Sequence, residues 1–270
     1  VDGVVVGGSG AISQNAKTLT VNQATPKLAV NWQGFNIAAG EAVNFVQPGR
    51  SAIALNRVLG AEASSIYGQL TANGQVFLVN SNGILFGRGA QVNVGGLVAS
   101  TLDLSVSDFM AGSRTFSGSG GRIDNLGSLS AAEGGYITLL GGQVSNQGTV
   151  TANLGTIALA AGNRVSLDFA GDKLLSLQVE QSALDALVEN SQLIQADGGQ
   201  VILTARAAGE VLNGVVNNTG IETASAITSE NGVIRLSGAS SQVINSGVIQ
   251  AHSVGAASGH IALLAESEAG

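Results

Sequence analysis

The sequence predicts an all-β fold: a right-handed parallel β-helix, a solenoid with an N-terminal cap and a short helical excursion near residues 180–190. Three observations predict it. Similar segments recur about every 20 residues. Within them Ile, Val and Leu alternate with polar residues, the period of a half-buried strand. Gly makes up 39 of the 270 residues, and Gly and Asn stand where the segments end, as corner residues do. One such unit cannot bury its apolar side alone, but stacked units make one continuous core. A leucine-rich repeat has a similar period, but its Leu-x-x-Leu-x-Leu-x-x-Asn frame is missing.

Residues 1–30 read as cap strands: Val4-Val5-Val6, a Gly7-Gly8-Ser9-Gly10 break, then Leu19-Thr20-Val21-Asn22-Gln23. The open end of a β-helix is an exposed sheet edge, which a cap would cover. Trp32, the only Trp, is expected in core or cap packing.

Residues 31–101 come next, centred on Gln75 to Thr101. Val76-Phe77-Leu78-Val79 reads as a buried strand. Asn80-Ser81-Asn82-Gly83 reads as a turn in which Asn82 and Gly83 take φ > 0. Ile84-Leu85-Phe86 starts another strand, Gln91-Val92-Asn93-Val94 alternates, and Gly95-Gly96 is a corner.

Residues 102–121 interrupt the pattern, with a short helix over Ser105 to Met110 capped by Ser107 or Asp108. Residues 122–270 resume it. Ile123-Asp124-Asn125 with Ile137 is followed by Val144-Ser145-Asn146 with Ile157; the Asn residues are 21 apart and the Ile residues 20 apart. Further copies hold Val201, then Asn218 with Ile234, then Asn245 with Ile261. Thr138 and Ala158 follow the inward Ile137 and Ile157, so both are expected to face out. Asn125, Asn146, Asn218 and Asn245 stand at equivalent corners. They either form a hydrogen-bonded Asn ladder or each fit a left-handed corner singly. From Ile157 to Val201 is 44 residues, read as two rungs plus an insert. The insert is a helix over Glu180 to Asn190, with Leu184, Leu187 and Val188 on one face.

Composition narrows the function classes. Hydrophobic residues are 44% and net charge is -7, which excludes a disordered chain. The 11 Lys and Arg residues are scattered, so nucleic acid is not an expected partner. There is no Cys, which is compatible with the cytosol and equally with export through a narrow pore, where an early disulfide would obstruct an extended chain. No apolar run reaches the ~18 residues of a membrane helix. No signal peptide is present, and the chain starts at Val1 as a trimmed exported chain would.

Catalytic and metal signatures are sparse. His252 and His260 flank a loop without metal-ligand spacing, so no zinc site is expected. Asp124, Glu133 and Asp168 make no column of acids at the rung period, which a polysaccharide lyase or glycosidase on this fold would need. No catalytic residue and no cofactor is expected. Asn217-Asn218-Thr219 is the only Asn-x-Ser/Thr triplet, which makes Asn217 a candidate glycosylation site.

The stretch around Asn80-Ser81-Asn82-Gly83-Ile84 resembles the signature region of the secretion domain of two-partner-secretion exoproteins, the filamentous-haemagglutinin-like family, whose motif reads Asn-Pro-Asn-Gly-Ile. Ser81 replaces the Pro, losing its fixed φ. Phe35-Asn36-Ile37, Leu55-Asn56-Arg57-Val58 and Ala72 to Leu78 resemble the branch typified by high-molecular-weight adhesins. The second family motif, Asn-Pro-Asn-Leu, is absent. The resemblance implies a single secretion domain over 1–270, a fragment of a longer exoprotein. It implies a secretion motif formed by Asn80, Ser81, Asn82, Gly83 and Ile84 with Phe35, Asn36, Asn56 and Arg57. It implies passage through the periplasm to POTRA domains of an outer-membrane β-barrel translocator, then folding at the cell surface. The signature turn is either read by that receptor or nucleates folding. A second reading makes the β-helix flank itself a module that binds host-surface glycan or protein. A third, an enzyme on the same fold, lacks its carboxylates.

Overall fold

The computed structural model describes residues 2–169, 175–183, 185–197, 199–206, 214–223, 233–239, 241–250 and 260–266. Its strands wind as a three-faced β-helix. One turn runs from face three through face two to face one, as in Ile84–Phe86, Gln91–Val94 and Gly96–Ser100. The next turns are Arg122–Asn125, Ser128–Ala131 and Tyr136–Gly141, then Gln143–Asn146, Thr149–Thr151 and Thr156–Ala161. Each strand pairs in parallel with its counterpart one turn away.

Strict register follows from alternation, because a slip of one residue would turn every inward side chain outward. Face one carries the clearest column: Leu28, Ala54, Val76, Leu97, Ile137, Ile157, Val201 and Ile234 stack in successive turns, all fully buried. Complete burial of one such Val, Leu or Ile contributes about 1.5–3 kcal/mol. The column therefore outweighs any single polar contact in the chain.

The first end is closed by reversal of strand direction. Val4–Gly7 pairs antiparallel with Lys27–Trp32, and Gly10–Asn15 pairs antiparallel with Thr18–Gln23. Thr18–Gln23 and Lys27–Trp32 already pair in parallel with the following turn. The antiparallel cover thus consists of residues 4–15, and residues 18–32 form the first rung.

Two excursions leave face one and return to face three. The first holds the helix Val106–Ala111 and the strand Thr115–Ser117. Ser105 caps the helix, accepting at Oγ from Asp108 N at 3.1 Å, so the cap stands before Ser107 and Asp108. The second is not the helix expected over Glu180 to Asn190. Arg164–Asp168 pairs antiparallel with Ser176–Gln181, and Leu187–Asn190 is an ordinary rung strand of face three. The apparent helical stripe has a period-two explanation: Ala186, Val188 and Asn190 point inward and are buried, while Leu187 and Glu189 are half-buried. Leu184 lies outside the described residues. Ile157 pairs directly with Val201, so one turn, not two, separates them.

Thr115–Ser117, Arg164–Asp168 and Ser176–Gln181 form a three-stranded sheet outside the solenoid. It encloses a second apolar core on the outer side of face one. Leu55, Phe77, Val98, Leu140 and Ala160 meet Phe109, Phe116 and Val165 there. Phe77 lies 6.2 Å from Phe109 and 6.0 Å from Phe116 between ring centroids. Thr138 and Ala158 pair in register as expected, but both are fully buried on this covered side instead of exposed.

Candidate functional site

The signature turn sits where face one passes to face three. Asn80 is fully buried. Its side-chain amide donates to Glu62 O and Ser64 Oγ, both at 3.0 Å, and its Oδ1 accepts from Asn82 N at 3.0 Å. Gly83 N donates to Asn80 O at 3.2 Å and closes the turn. Gly83 has φ +127°, a region that L side chains rarely adopt. Asn82 does not share it, contrary to the expectation of φ > 0 at both positions. Its role is a contact: Asn82 Nδ2 donates to Gly60 O at 2.9 Å. Ile84 is 2% exposed and belongs to the solenoid core.

The upstream residues join the same turns. Phe35 packs edge-on against Trp32 at 5.4 Å, and both are buried. Trp32 Nε1 donates to Asn56 Oδ1, and Asn36 Oδ1 accepts from Ser65 N at 2.7 Å. Arg57 reaches outward instead. Its guanidinium grips Asp103 with two bonds, 3.0 Å from Nε and 2.7 Å from Nη2. The two-bond geometry makes this the firmest kind of ion pair.

Ser81, Asn82, Arg57, Asp103 and the exposed Leu59 line an open cleft of about 410 Å³ beside the turn. The motif residues thus divide. Asn80, Ile84, Phe35 and Asn56 are inside the fold, whereas Ser81, Asn82 and Arg57 stand at a surface that a second molecule can reach.

At the corner between faces three and two, Asn125 Nδ2 donates to Asn146 Oδ1 at 2.7 Å and Asn146 Nδ2 to Asn190 Oδ1 at 2.8 Å. Asn190 Nδ2 donates to Asn218 Oδ1 at 3.0 Å, and Asn218 Nδ2 to Asn245 Oδ1 at 2.8 Å. Asn190 escaped the sequence reading, because the hairpin excursion stretches its spacing from Asn146 to 44 residues. The signal that finds it is Val188-Glu189-Asn190, which matches Val144-Ser145-Asn146. A buried amide pair lies nearer the N-terminus, also missed: Gln47 donates from Nε2 to Gln23 Oε1 at 2.9 Å. Asn217 lies in register between Glu189 and Ile244 on face three. His252 lies outside the described residues, and His260 begins the last described strand.

Among the described residues no three His, Cys, Asp or Glu side chains cluster in a way that could hold a metal ion. No helix among them is long and apolar enough to cross a membrane. Titration is perturbed mainly around the outer sheet. Burial holds the Arg114 guanidinium below its ordinary value, offset in part by Tyr136. Arg114 lies between aromatic rings, 5.5 Å over Phe77 and 5.2 Å over Phe109. Burial pushes the Tyr136 phenol up, and its hydroxyl donates to Gln75 Oε1 at 2.6 Å. These groups serve packing, with no nucleophile and base brought together.

A family model described as the TPS secretion domain matches residues 2–251. Two curated heme/hemopexin-binding proteins of Haemophilus influenzae are similar in sequence. One is 32% identical over 265 residues, covering 92% of this chain and 28% of its own length. The other is 29% identical over 248 residues, covering 82% and 26%. The chain thus spans little more than a quarter of these relatives. Among solved structures, the HMW1 secretion domain from Haemophilus influenzae matches with a TM-score of 0.83 at 29% identity, over 93% of this chain and 66% of that one. The filamentous hemagglutinin secretion domain matches with a TM-score of 0.51 at 17% identity, over 99% and 100%, a likeness of fold.

Proposed function

The chain belongs to the TPS secretion domain family, and on that premise we propose that residues 1–270 act as one secretion domain that takes a longer exoprotein through its dedicated outer-membrane transporter and starts the folding of that exoprotein outside. Secretion domains of this family are not enzymes. In this reading the unfolded chain meets periplasmic POTRA domains of the transporter and adds to a sheet edge there as an extra strand. It then threads the barrel and folds at the cell surface or beyond it.

The observation that supports the folding half is the unbroken register of face one, from Lys27–Trp32 to His260–Glu266. Each completed turn is a template for the next, and each addition buries apolar surface. Folding outside would therefore bias movement outward. Burial of Asn80 and Ile84 in the folded turn supports a nucleating role for the signature turn, whereas reading by the receptor would act on the same residues in the unfolded chain. The parent is an adhesin in this reading. The names of the two heme/hemopexin-binding relatives support a second, in which the parent takes part in binding heme or hemopexin.

Deletion of residues 1–270 from the parent tests the proposal, with transporter levels held constant. Loss of the parent from the cell surface and medium, with accumulation and degradation in the periplasm, is the expected result. Undiminished export of the deleted parent would overturn it.

A further inference from the structure

We propose that face two, between Tyr67 on one side and the corner loops of Arg50 and Glu133 on the other, is a binding site for a linear, uncharged glycan chain. This goes beyond the secretion role and does not depend on it.

The floor of the site is an array of neutral hydrogen-bonding groups. Gln69, Gln91 and Ser128 form one outward column, and Thr71, Asn93 and Ser130 a second beside it. Successive turns lie ~4.8 Å apart, so the same pair of groups repeats at a spacing close to one sugar ring of an extended chain. Amides and hydroxyls both donate and accept, as sugar hydroxyls do. Thr71 is braced by donating to Asn44 Oδ1 at 2.6 Å.

Charge is missing from the strands of this face up to Leu193–Gln195, and Glu222 of Ile221–Thr223 is the first charged residue along it. Its seven strands from Thr18–Gln23 to Leu193–Gln195 contain no Asp, Glu, Lys or Arg. Over the same turns, strands of face one carry Lys27, Arg57 and Arg206, and strands of face three carry Arg122, Asp124 and Glu189. A ligand matched to this floor is neutral. A protein partner fits poorly, because stable protein interfaces centre on apolar and aromatic clusters, and these floor residues are polar.

The two margins add shape. Tyr67 is 42% exposed, and its ring lies so close over Gly87 that a Cβ there would sit 2.2 Å from Tyr67 Cδ1. With one side on glycine backbone, the ring offers its other side as a stacking platform for the C–H face of a sugar. At the opposite margin the loops around Arg50 and Glu133 project past the tight Gly95 corner. They are braced by a bond from Arg50 Nη2 to Glu133 O at 2.6 Å. Between them is a cleft of about 580 Å³, reaching Asn73, Asn93 and Ser130. That lies within the ~300–1,000 Å³ of small-ligand sites.

The test uses the purified whole chain on an array of oligosaccharides built from glucose, galactose, mannose or N-acetylglucosamine, with sulfated and sialylated versions alongside. A neutral series is expected to bind, more tightly from disaccharide to hexasaccharide, and to be insensitive to salt. Tyr67→Ala and Asn93→Ala should each weaken binding about tenfold or more without changing the melting temperature. The proposal is overturned if no neutral glycan is retained. It is also overturned if binding requires sulfate or sialic acid, or if neither substitution weakens it.

Discussion

Trp32 donates its indole N–H to Asn56 Oδ1 at 3.1 Å, inside the core of the first rungs. Asn56 in turn donates to Ala54 O at 3.2 Å and Phe77 O at 3.3 Å, so one buried amide ties three successive turns. Asn56→Leu leaves the indole donor and two carbonyls without that partner. A buried polar group left unsatisfied costs about 1–3 kcal/mol. We expect a loss of that order in urea unfolding followed by the fluorescence of Trp32, the only Trp. An unchanged midpoint would remove this amide from the stability of the signature rungs.

At the signature turn the two neighbouring positions should respond differently. Gly83→Val places a branched side chain at φ +127° and should cost about 1–3 kcal/mol, with reduced export. Asn82→Ala loses the bond to Gly60 O, worth roughly 0.5–1.5 kcal/mol, and meets no positive φ. Export of both variants and their purified stability are the measurements. Equal behaviour of the two would rule out backbone conformation as the reason for glycine at this site.

The Asn chain gives a positional prediction. Asn190 is buried with a ladder neighbour on each side, and Asn245 is exposed and has a ladder neighbour on one side among the described residues. Asn190→Ala should destabilise by on the order of 1–3 kcal/mol, and Asn245→Ala by well under half of that. Thermal unfolding of both variants decides whether the ladder acts as a connected unit.

Acid should loosen the outer sheet first. Glu180 accepts from Ser166 Oγ and from Arg164 Nε, the latter at 2.6 Å. The Ser166 bond, then Arg164, holds its carboxyl below the usual carboxylate range. A group with a depressed folded pKa stabilises above its unfolded pKa, and that contribution is lost as pH falls through the folded value. Amide exchange in Arg164–Asp168 should therefore rise as pH falls from roughly 5 to 3, beyond the intrinsic trend. Glu180→Gln should flatten that response, and an identical pH profile in the variant would assign it to other groups.

Stacking and export can be tested together. Gln91 and Ser128 are exposed partners on adjacent turns, so their Cα atoms lie ~4.8 Å apart, within the ~4.4–6.8 Å a disulfide needs. Gln91→Cys with Ser128→Cys should oxidise readily in the purified domain. In cells the closed loop should stall in the periplasm until reductant is added. Ready oxidation with unimpaired secretion would count against passage as an extended chain.

Period-two patterning and the 20-residue spacing made the solenoid legible, because inward Ile137 and Ile157 repeat without interruption. The cleft beside the turn was not legible, since Arg57 and Asp103 lie 46 residues apart and only the first excursion brings them together. The second excursion was misread because Leu184, Leu187 and Val188 fit one helical face, whereas in the strand Val188 points inward with Ala186 and Leu187 does not. Thr138 and Ala158 showed their register but not their burial. Nothing in their own rungs records that strands Arg164–Asp168 and Ser176–Gln181 belong to the sheet outside face one.

That outer sheet gives the molecule a chronology. Neighbouring turns join residues some 20 positions apart, so the inner core can close as fast as each turn is complete. The outer core waits: Phe77 and Phe116 find their remaining cover only when Val165 arrives, 88 residues after Phe77. In a chain that folds from its first residue, the first excursion covers the outside of face one in part, and the rest waits through two further finished turns until the second excursion seals it. The solenoid grows by increments, and its flank closes in two events.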